Sequence, residues 1–278
     1  MILSFHPLII KDENRLCAGR QPNAEDLSAI KAADAVILPQ GCYRALYDMA
    51  RNNCRHVFPD YSARFDFPGK TGQARLFQKT GVAHPATEIF LNVAEFKQMS
   101  TPPPRAYPLV FKFDWGGEGE GVFLIESERA MEPALSRAEA FEKTGQRGFV
   151  LQAYIPTAGR SLRVVVIGNR LISYWRVMPD KSAFGTGVSA GARIDPKTTP
   201  ELQTIAKDAV ADFCRKTGIN LAGFDILFCA DNAGRMDATP LFLEINYFFG
   251  RRGLGGSEAY YPLFHDAVEK WLQSLPGT

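Results

Sequence analysis

GFDILFCADNAGRMDATPLFLEIN, Gly223 to Asn246, reads as two extended runs joined by a polar turn. Asp225 lies near the start of the first run, and Glu244 and Asn246 end the second. Residues two apart on a strand share a face, so Glu244 and Asn246 point the same way, and a paired neighbour brings Asp225 alongside them. Two carboxylates and one amide oxygen are hard ligands of the kind Mg²⁺ takes when it also holds nucleotide phosphates. Polar residues at hairpin ends in solvent give the same pattern, so the triplet alone leaves both readings open.

Composition narrows the field. With 46% hydrophobic and 22% charged residues in 278, the chain has ordinary globular usage, which argues against extensive disorder. A net charge of +2 with scattered Lys and Arg forms no polybasic stripe, so nucleic acid is not an expected partner. Cys17, Cys42, Cys54, Cys214 and Cys229 are odd in number and widely spaced, and read as free thiols in a reducing compartment. The opening MILSFHPLII lacks a basic region before its apolar run, and no stretch reaches the roughly 18 apolar residues of a membrane span. A soluble, cytoplasmic protein with no membrane partner is expected.

Residues 1–68 alternate apolar runs and helical patterns: Ile9 and Ile10, a helix from Asn23 to Ala33, AVILP, a helix from Tyr43 to Asn52, and HVF. That order predicts a small parallel sheet, too short to be stable alone and therefore packed on the rest. GKTGQARLFQKTG predicts a helix that buries Leu76 and Phe77 and stops at Gly81. A prolyl loop then delivers the strand LVFKF, and DWGGEGEGVFLI predicts a hairpin with a glycine tip. After a helix from Ala130 to Lys143 come FVLQAYI and two strands around Gly168-Asn169. FGTGVSAGARI is expected to be a mobile small-residue loop, followed by a helix from Pro200 to Lys216, the Asp225 and Glu244 strands, the loop FFGRRGLGG and a last helix to Leu275.

Gly116, Gly117, Gly119 and Gly121 follow a strand, and without side chains their amides can approach phosphate oxygens closely. No GKS or GKT follows, and a strand rather than a helix comes next, so neither a Walker loop nor a dinucleotide turn fits. A flexible hairpin with no ligand is equally compatible. Lys112 sits inside the apolar run LVFKF, where an unpaired charge is expensive, so an anion is expected to meet it.

Taken in order, these motifs resemble the ATP-grasp superfamily, and within it the branch of the ribosomal-protein glutamate ligase RimK and glutathione synthase. Lys70, Gly81, Pro85 and Thr87 are similar to the family's opening segment, and Lys112 with Gly116, Gly119, Gly121 and Val122 to its nucleotide-covering hairpin. FVLQAYI is similar to its hinge strand, Arg163 to the arginine of the next strand, and Asp225, Glu244 and Asn246 to its magnesium ligands. The resemblance spans about 69 to 256. It implies an α/β (α+β) ATP-grasp fold, two α+β subdomains sandwiching ATP, preceded by a short Rossmann-like N-terminal unit. The expected units are 1–68, 69–148 with the glycine hairpin, and 149–278 with the metal site.

The resemblance also implies roles. Lys70 and Lys112 would contact ATP phosphates under Gly116, Gly117, Gly119 and Gly121. Gln152, Tyr154 and Ile155 would flank adenine. Asp225, Glu244 and Asn246 would hold Mg²⁺, and Arg163 with Lys112 would stabilise the transferring phosphoryl group. The implied reaction converts a carboxylate to an acyl phosphate and then, with an amine, to an amide, on small-molecule or peptide substrates; a homo-oligomer is compatible. An ATP-grasp kinase and a non-catalytic ATP-binding module are the competing readings. Departures fall at Ala153 and Ser161, where the family has acidic residues, at Gly187, and at Tyr247, Phe248 and Phe249, where it has small ones. Tyr247, Arg251 and Arg252, with Arg176, are therefore the expected substrate-facing residues, with core packing the alternative for the aromatics and solvation for the arginines.

Overall fold

The computed structural model describes residues 1–98, 107–116, 121–181 and 184–276. Three sheets organise them. The first is parallel, in the order β2-β1-β3-β4, from β1 Ile2–Ser4, β2 Glu13–Asn14, β3 Ala35–Ile37 and β4 His56–Phe58, with helices α1 Ala24–Ala32 and α2 Arg44–Asn53 between strands. Asn23 caps α1 through a reciprocal pair of bonds with Asp26, the local reason the helix starts there. Contrary to expectation, the Ile9-Ile10 run is not a strand. The Ser4 hydroxyl accepts from the His6 amide and His6 Nδ1 from the Leu8 amide, so side chains turn the backbone at Pro7, and Ile10 is left in solvent while Ile9 is buried.

Short helix α3 Ser62–Asp66 leads to α4 Gly69–Thr80, which ends at Gly81 in the left-handed conformation that only glycine adopts freely. Next come β5 Thr87–Phe90, α5 Val93–Gln98, β6 Leu109–Phe113, β7 Val122–Ile125, α6 Glu128–Glu142 and β8 Phe149–Ala153. These strands form an antiparallel sheet in the order β5-β8-β6-β7. One face carries Phe111, Phe113, Phe149 and Leu151 into an aromatic core under α6, where the Phe111 and Phe149 rings stack 4.7 Å apart. Alternation turns Val110, Lys112, Val150 and Gln152 to the other face.

The third sheet, β11-β10-β9-β12-β13, is built from β9 Arg160–Ile167, β10 Arg170–Val177, β11 Arg193–Asp195, β12 Leu221–Leu227 and β13 Leu241–Asn246, with α7 Pro200–Thr217 before β12 and α8 Ser257–Gln273 after a single 3-10 turn at Arg252–Leu254. β11 lies in the stretch expected to be only a loop. One face sends Leu162, Val164, Val166, Phe224 and Ile226 into a core shared with α7 and with Leu3, Phe5 and Val36 of the first sheet. That shared core is why the N-terminal unit is not an independent body.

The opposite face is graded along the strands. Val165, Ile167 and Leu221 at one end pack on α8, whereas Ser161, Arg163 and Asp225 at the other end are polar yet buried. The polar end faces the Lys112 side of the second sheet, and α4 closes the gap. The Gln73 amide donates to the Ile245 carbonyl at 2.9 Å and accepts from the Ile245 amide at 2.8 Å, so one side chain completes the backbone bonding of β13. Gln73→Ala leaves both groups without these partners, and a drop of about 1–3 kcal/mol in unfolding free energy is expected by urea titration; an unchanged midpoint contradicts this role.

Candidate active site

The site begins with register. Asp225 on β12 lies directly opposite Glu244 on β13, Gly223 opposite Asn246, and Arg163 on β9 opposite both Asp225 and, across the other edge, Tyr174. A bulge between the Asp225-Glu244 and Ile226-Phe242 pairs takes up one extra residue, so Glu244 stays on the Asp225 face while Phe242 enters the core. The three residues expected to act together are therefore on one face of adjacent strands.

Asp225 is the hub. Its Oδ1 is 2.6 Å from Arg163 Nε and 2.8 Å from Arg176 Nη2; its Oδ2 is 3.2 Å from Arg163 Nη2 and 3.3 Å from Asn246 Nδ2. Burial alone would raise its pKa, but the two guanidiniums outweigh it and hold the carboxyl below the usual aspartate range. Gly223 makes room for this pair: a Cβ there would lie 2.8 Å from Arg163 Nη1 and 2.9 Å from the Phe249 Cβ. Glu244 differs. It is half-buried and has no hydrogen bond among the described residues, and burial, reinforced by Asp225 opposite, lifts its pKa although Lys70, Lys112 and Arg163 pull it back.

Across the cleft, Lys112 Nζ donates to Gln152 Oε1 at 2.6 Å, and Gln152 Nε2 donates to Thr87 Oγ1 at 3.0 Å. Within the protein the ammonium thus meets a neutral amide. Burial pushes its pKa down to about 8, with Lys70 adding to the fall and Glu244 and Asp225 opposing it. Lys70, in the first turn of α4, donates to the carbonyls of Trp115 and Gly116 at the base of the glycine hairpin. Lys70, Gln73, Ala74 and Phe77 recur at helical spacing and line one cleft with Lys112, Gln152 and Glu244.

The expected residues divide as follows. Lys70, Lys112, Gln152 and Glu244 line that cleft, with Arg163, Arg176, Asp225 and Asn246 bonded together beside Glu244. Gly116 and Gly121 flank the hairpin, whereas Gly117 and Gly119 lie outside the described residues. Tyr154 and Ile155 follow β8 and are half-buried.

The Tyr247 ring does not form a pocket wall. One residue past Asn246 reverses the side, and the ring packs edge-on to Tyr61 in the core, as Phe249 does against Tyr260. Phe248 alone of the three is exposed, at 65%. Arg251 is engaged by Ser257, Tyr261 and Gln40 and stacks on Tyr260, and Arg252 is exposed. Gln73 and Gly223 were not singled out from the sequence; the signals were their spacing, three residues after Lys70 and two before Asp225.

The donor set suits a divalent cation. Glu244 offers an unengaged carboxylate, and turning the Asn246 amide about its last bond would release Asp225 Oδ2 while presenting an oxygen. Among the described residues there is no cluster of three His, Cys, Asp or Glu side chains, so the protein oxygens on offer here are those of two carboxylates and one amide.

Residues 69–257 match the family described as RimK-like ATP-grasp domain. The chain belongs to that family. Among curated relatives, a probable alpha-L-glutamate ligase of Alkalilimnicola ehrlichii is 31% identical over 149 residues, 53% of this chain and 44% of that protein. The chain thus spans about half the length of such relatives. The solved RimK domain ATP-grasp protein of Sphaerobacter thermophilus has a TM-score of 0.62 at 16% identity, over 96% of this chain and 98% of its own. D-alanine–D-alanine ligase of Bacillus anthracis complexed with ATP gives 0.62 at 12% identity, over 96% and 87%. These likenesses establish the ATP-grasp fold for this family member.

Lys112 supplies a test of the site's electrostatics. The folded protein releases this proton near pH 8, whereas an unfolded lysine holds it to about 10.5. The unfolded chain therefore binds more protons across that window, and stability rises with pH there. Lys112→Met is expected to be more stable than the parent in urea at pH 7, with an advantage that shrinks between pH 8 and 10.5. A difference independent of pH contradicts the buried charge.

Proposed function

We propose that this chain is an ATP- and Mg²⁺-dependent ligase that activates a carboxylate as an acyl phosphate and joins it to an amine. One observation carries the reading: Lys70, Lys112 and Glu244 line one cleft, and the bonded group of Asp225, Arg163 and Arg176 lies beside Glu244 on the adjacent strands, in a member of the RimK-like ATP-grasp family. Four cations against two carboxylates leave an excess of positive charge that nucleotide phosphates would balance.

In this reading Lys70 and Lys112 bind ATP phosphates, beneath the hairpin of Gly116, Gly117, Gly119 and Gly121. Gln152 fixes the Lys112 ammonium through the bond described above, and Tyr154 and Ile155 border the adenine. Asp225, Glu244 and Asn246 hold the metal, and Mg²⁺ would supply charge neutralisation and alignment of the phosphates. Arg163 is clamped by Asp225 through Nε and Nη2, and its Nη1, which has no hydrogen bond among the described residues, would serve a developing phosphoryl charge. A planar, preorganised guanidinium suits a charge spread over several oxygens, and holding it in place before reaction avoids reorganisation during it. The relatives are named for alpha-L-glutamate, which makes L-glutamate the first substrate to test. A cytoplasmic location fits this chemistry, and no helix among the described residues is long and apolar enough to cross a membrane.

Phosphate release from ATP over pools of carboxylates and amines tests the function: a ligase releases phosphate only when both partners are supplied. Transfer to a hydroxyl with no free phosphate would indicate a kinase instead. Nucleotide affinity tests the site. The parent is expected to bind ATP at least tenfold more tightly with Mg²⁺ than without, on the order of 1.4 kcal/mol, and Glu244→Ala to lose that dependence. Equal Mg²⁺ dependence in parent and variant would exclude Glu244 as a ligand.

A further inference from the structure

Ser161 is fully buried, and its Oγ accepts from Arg176 Nε at 3.1 Å and Nη2 at 2.9 Å. It also lies 2.5 Å from Thr186 Oγ1. A hydroxyl has two lone pairs and one proton, and arginine has no acceptor. Both lone pairs of Ser161 are therefore taken by Arg176, and its proton goes to Thr186. Thr186 is the acceptor in that bond, and its own O–H has no other partner among the described residues. The donors thus run outward from Arg176, which donates to both Asp225 and Ser161, and on from Ser161 to Thr186.

Position gives this proton order a use. Ser161 and Arg163 share a face of β9, Arg176 lies opposite Ser161 on β10, and Thr186 joins them from the loop that precedes β11. Arg163 and Arg176 use Nε and Nη2 for Asp225 and Ser161, and neither Nη1 has a hydrogen bond among the described residues. We infer that Thr186 is a further substrate contact, which with Arg163 and Arg176 forms a three-donor pocket for an oxyanion: an oxygen of the transferring phosphoryl group or of the carboxylate that receives it. This assignment rests on the proposed ligase reading and adds to it a residue of the small-residue loop, with Ser161 as the positioning residue that orients both Arg176 and the Thr186 hydroxyl.

Inorganic phosphate and, separately, L-glutamate titrated into the parent loaded with Mg²⁺ and ADP test this, with ADP affinity measured on the same preparations. Thr186→Val keeps the shape and removes the donor, whereas Thr186→Ser keeps the donor. The valine variant is expected to weaken one anion by about tenfold, the serine variant to retain parent affinity, and ADP to bind equally to all three. Weakening of phosphate alone assigns the pocket to the phosphoryl oxygen, and weakening of glutamate alone assigns it to the carboxylate. Unchanged affinity for both anions in Thr186→Val, equal weakening in Thr186→Ser, or a parent that binds ADP but neither anion overturns the inference. A parent that binds no ADP overturns the nucleotide-site reading beneath it.

Discussion

The structure turns on one buried carboxylate. Asp225 lies on the face of a five-stranded sheet whose other residues are largely apolar, and it is kept ionised there by Arg163 and Arg176. Taking such a carboxylate out of water is costly unless its oxygens are met, and removing one partner of a buried pair costs roughly 3–5 kcal/mol. The surrounding sequence answers that requirement residue by residue. Gly223 leaves space for the Arg163 guanidinium, Ser161 holds Arg176, and the bulge in β13 keeps Glu244 on the Asp225 face while Phe242 turns to the core. The polar end of the sheet is thus a folded charge network rather than a set of exposed ligands.

The second sheet carries the complementary problem. Lys112 is buried opposite that network and, among the described residues, donates only to the Gln152 carbonyl, and burial depresses its pKa accordingly. A site that strains an ammonium in this way favours any anion able to enter, because the anion restores the charged form. Asp225 is met by two arginines whereas Glu244 has no hydrogen bond among the described residues, a division that supports the proposed reading of a cleft that takes a cation together with phosphates. Preorganised charge of this kind suits group transfer, in which the protein positions and neutralises rather than supplying a nucleophile.

Much of this was legible in the chain because two rules govern it. The period of two placed Glu244 and Asn246 together, and strand pairing brought Asp225 beside them. The apolar setting of LVFKF marked Lys112 as a charge in need of a partner. What escaped the sequence is what depends on exact contacts. The Ile9-Ile10 run looks like a strand until Ser4 and His6 bond to neighbouring amides. Tyr247 follows Asn246 directly, yet the same period sends its ring to the core. Arg251 was expected to face substrate, but Gln40, distant in sequence, is one of the groups that engage it. Ser161 was visible only as the place where an acidic residue is missing, and its bond to Thr186 spans a loop whose conformation no periodicity encodes.

The central claim is that the carboxylate is activated by direct phosphorylation in this cleft, and oxygen tracing tests it most directly. With ATP, Mg²⁺, a competent amine and a carboxylate labelled with oxygen-18 in both positions, acyl phosphate formation transfers one labelled oxygen to each inorganic phosphate released. Mass analysis of that phosphate is predicted to show one heavy oxygen per molecule. Unlabelled phosphate accompanying amide formation would contradict the account.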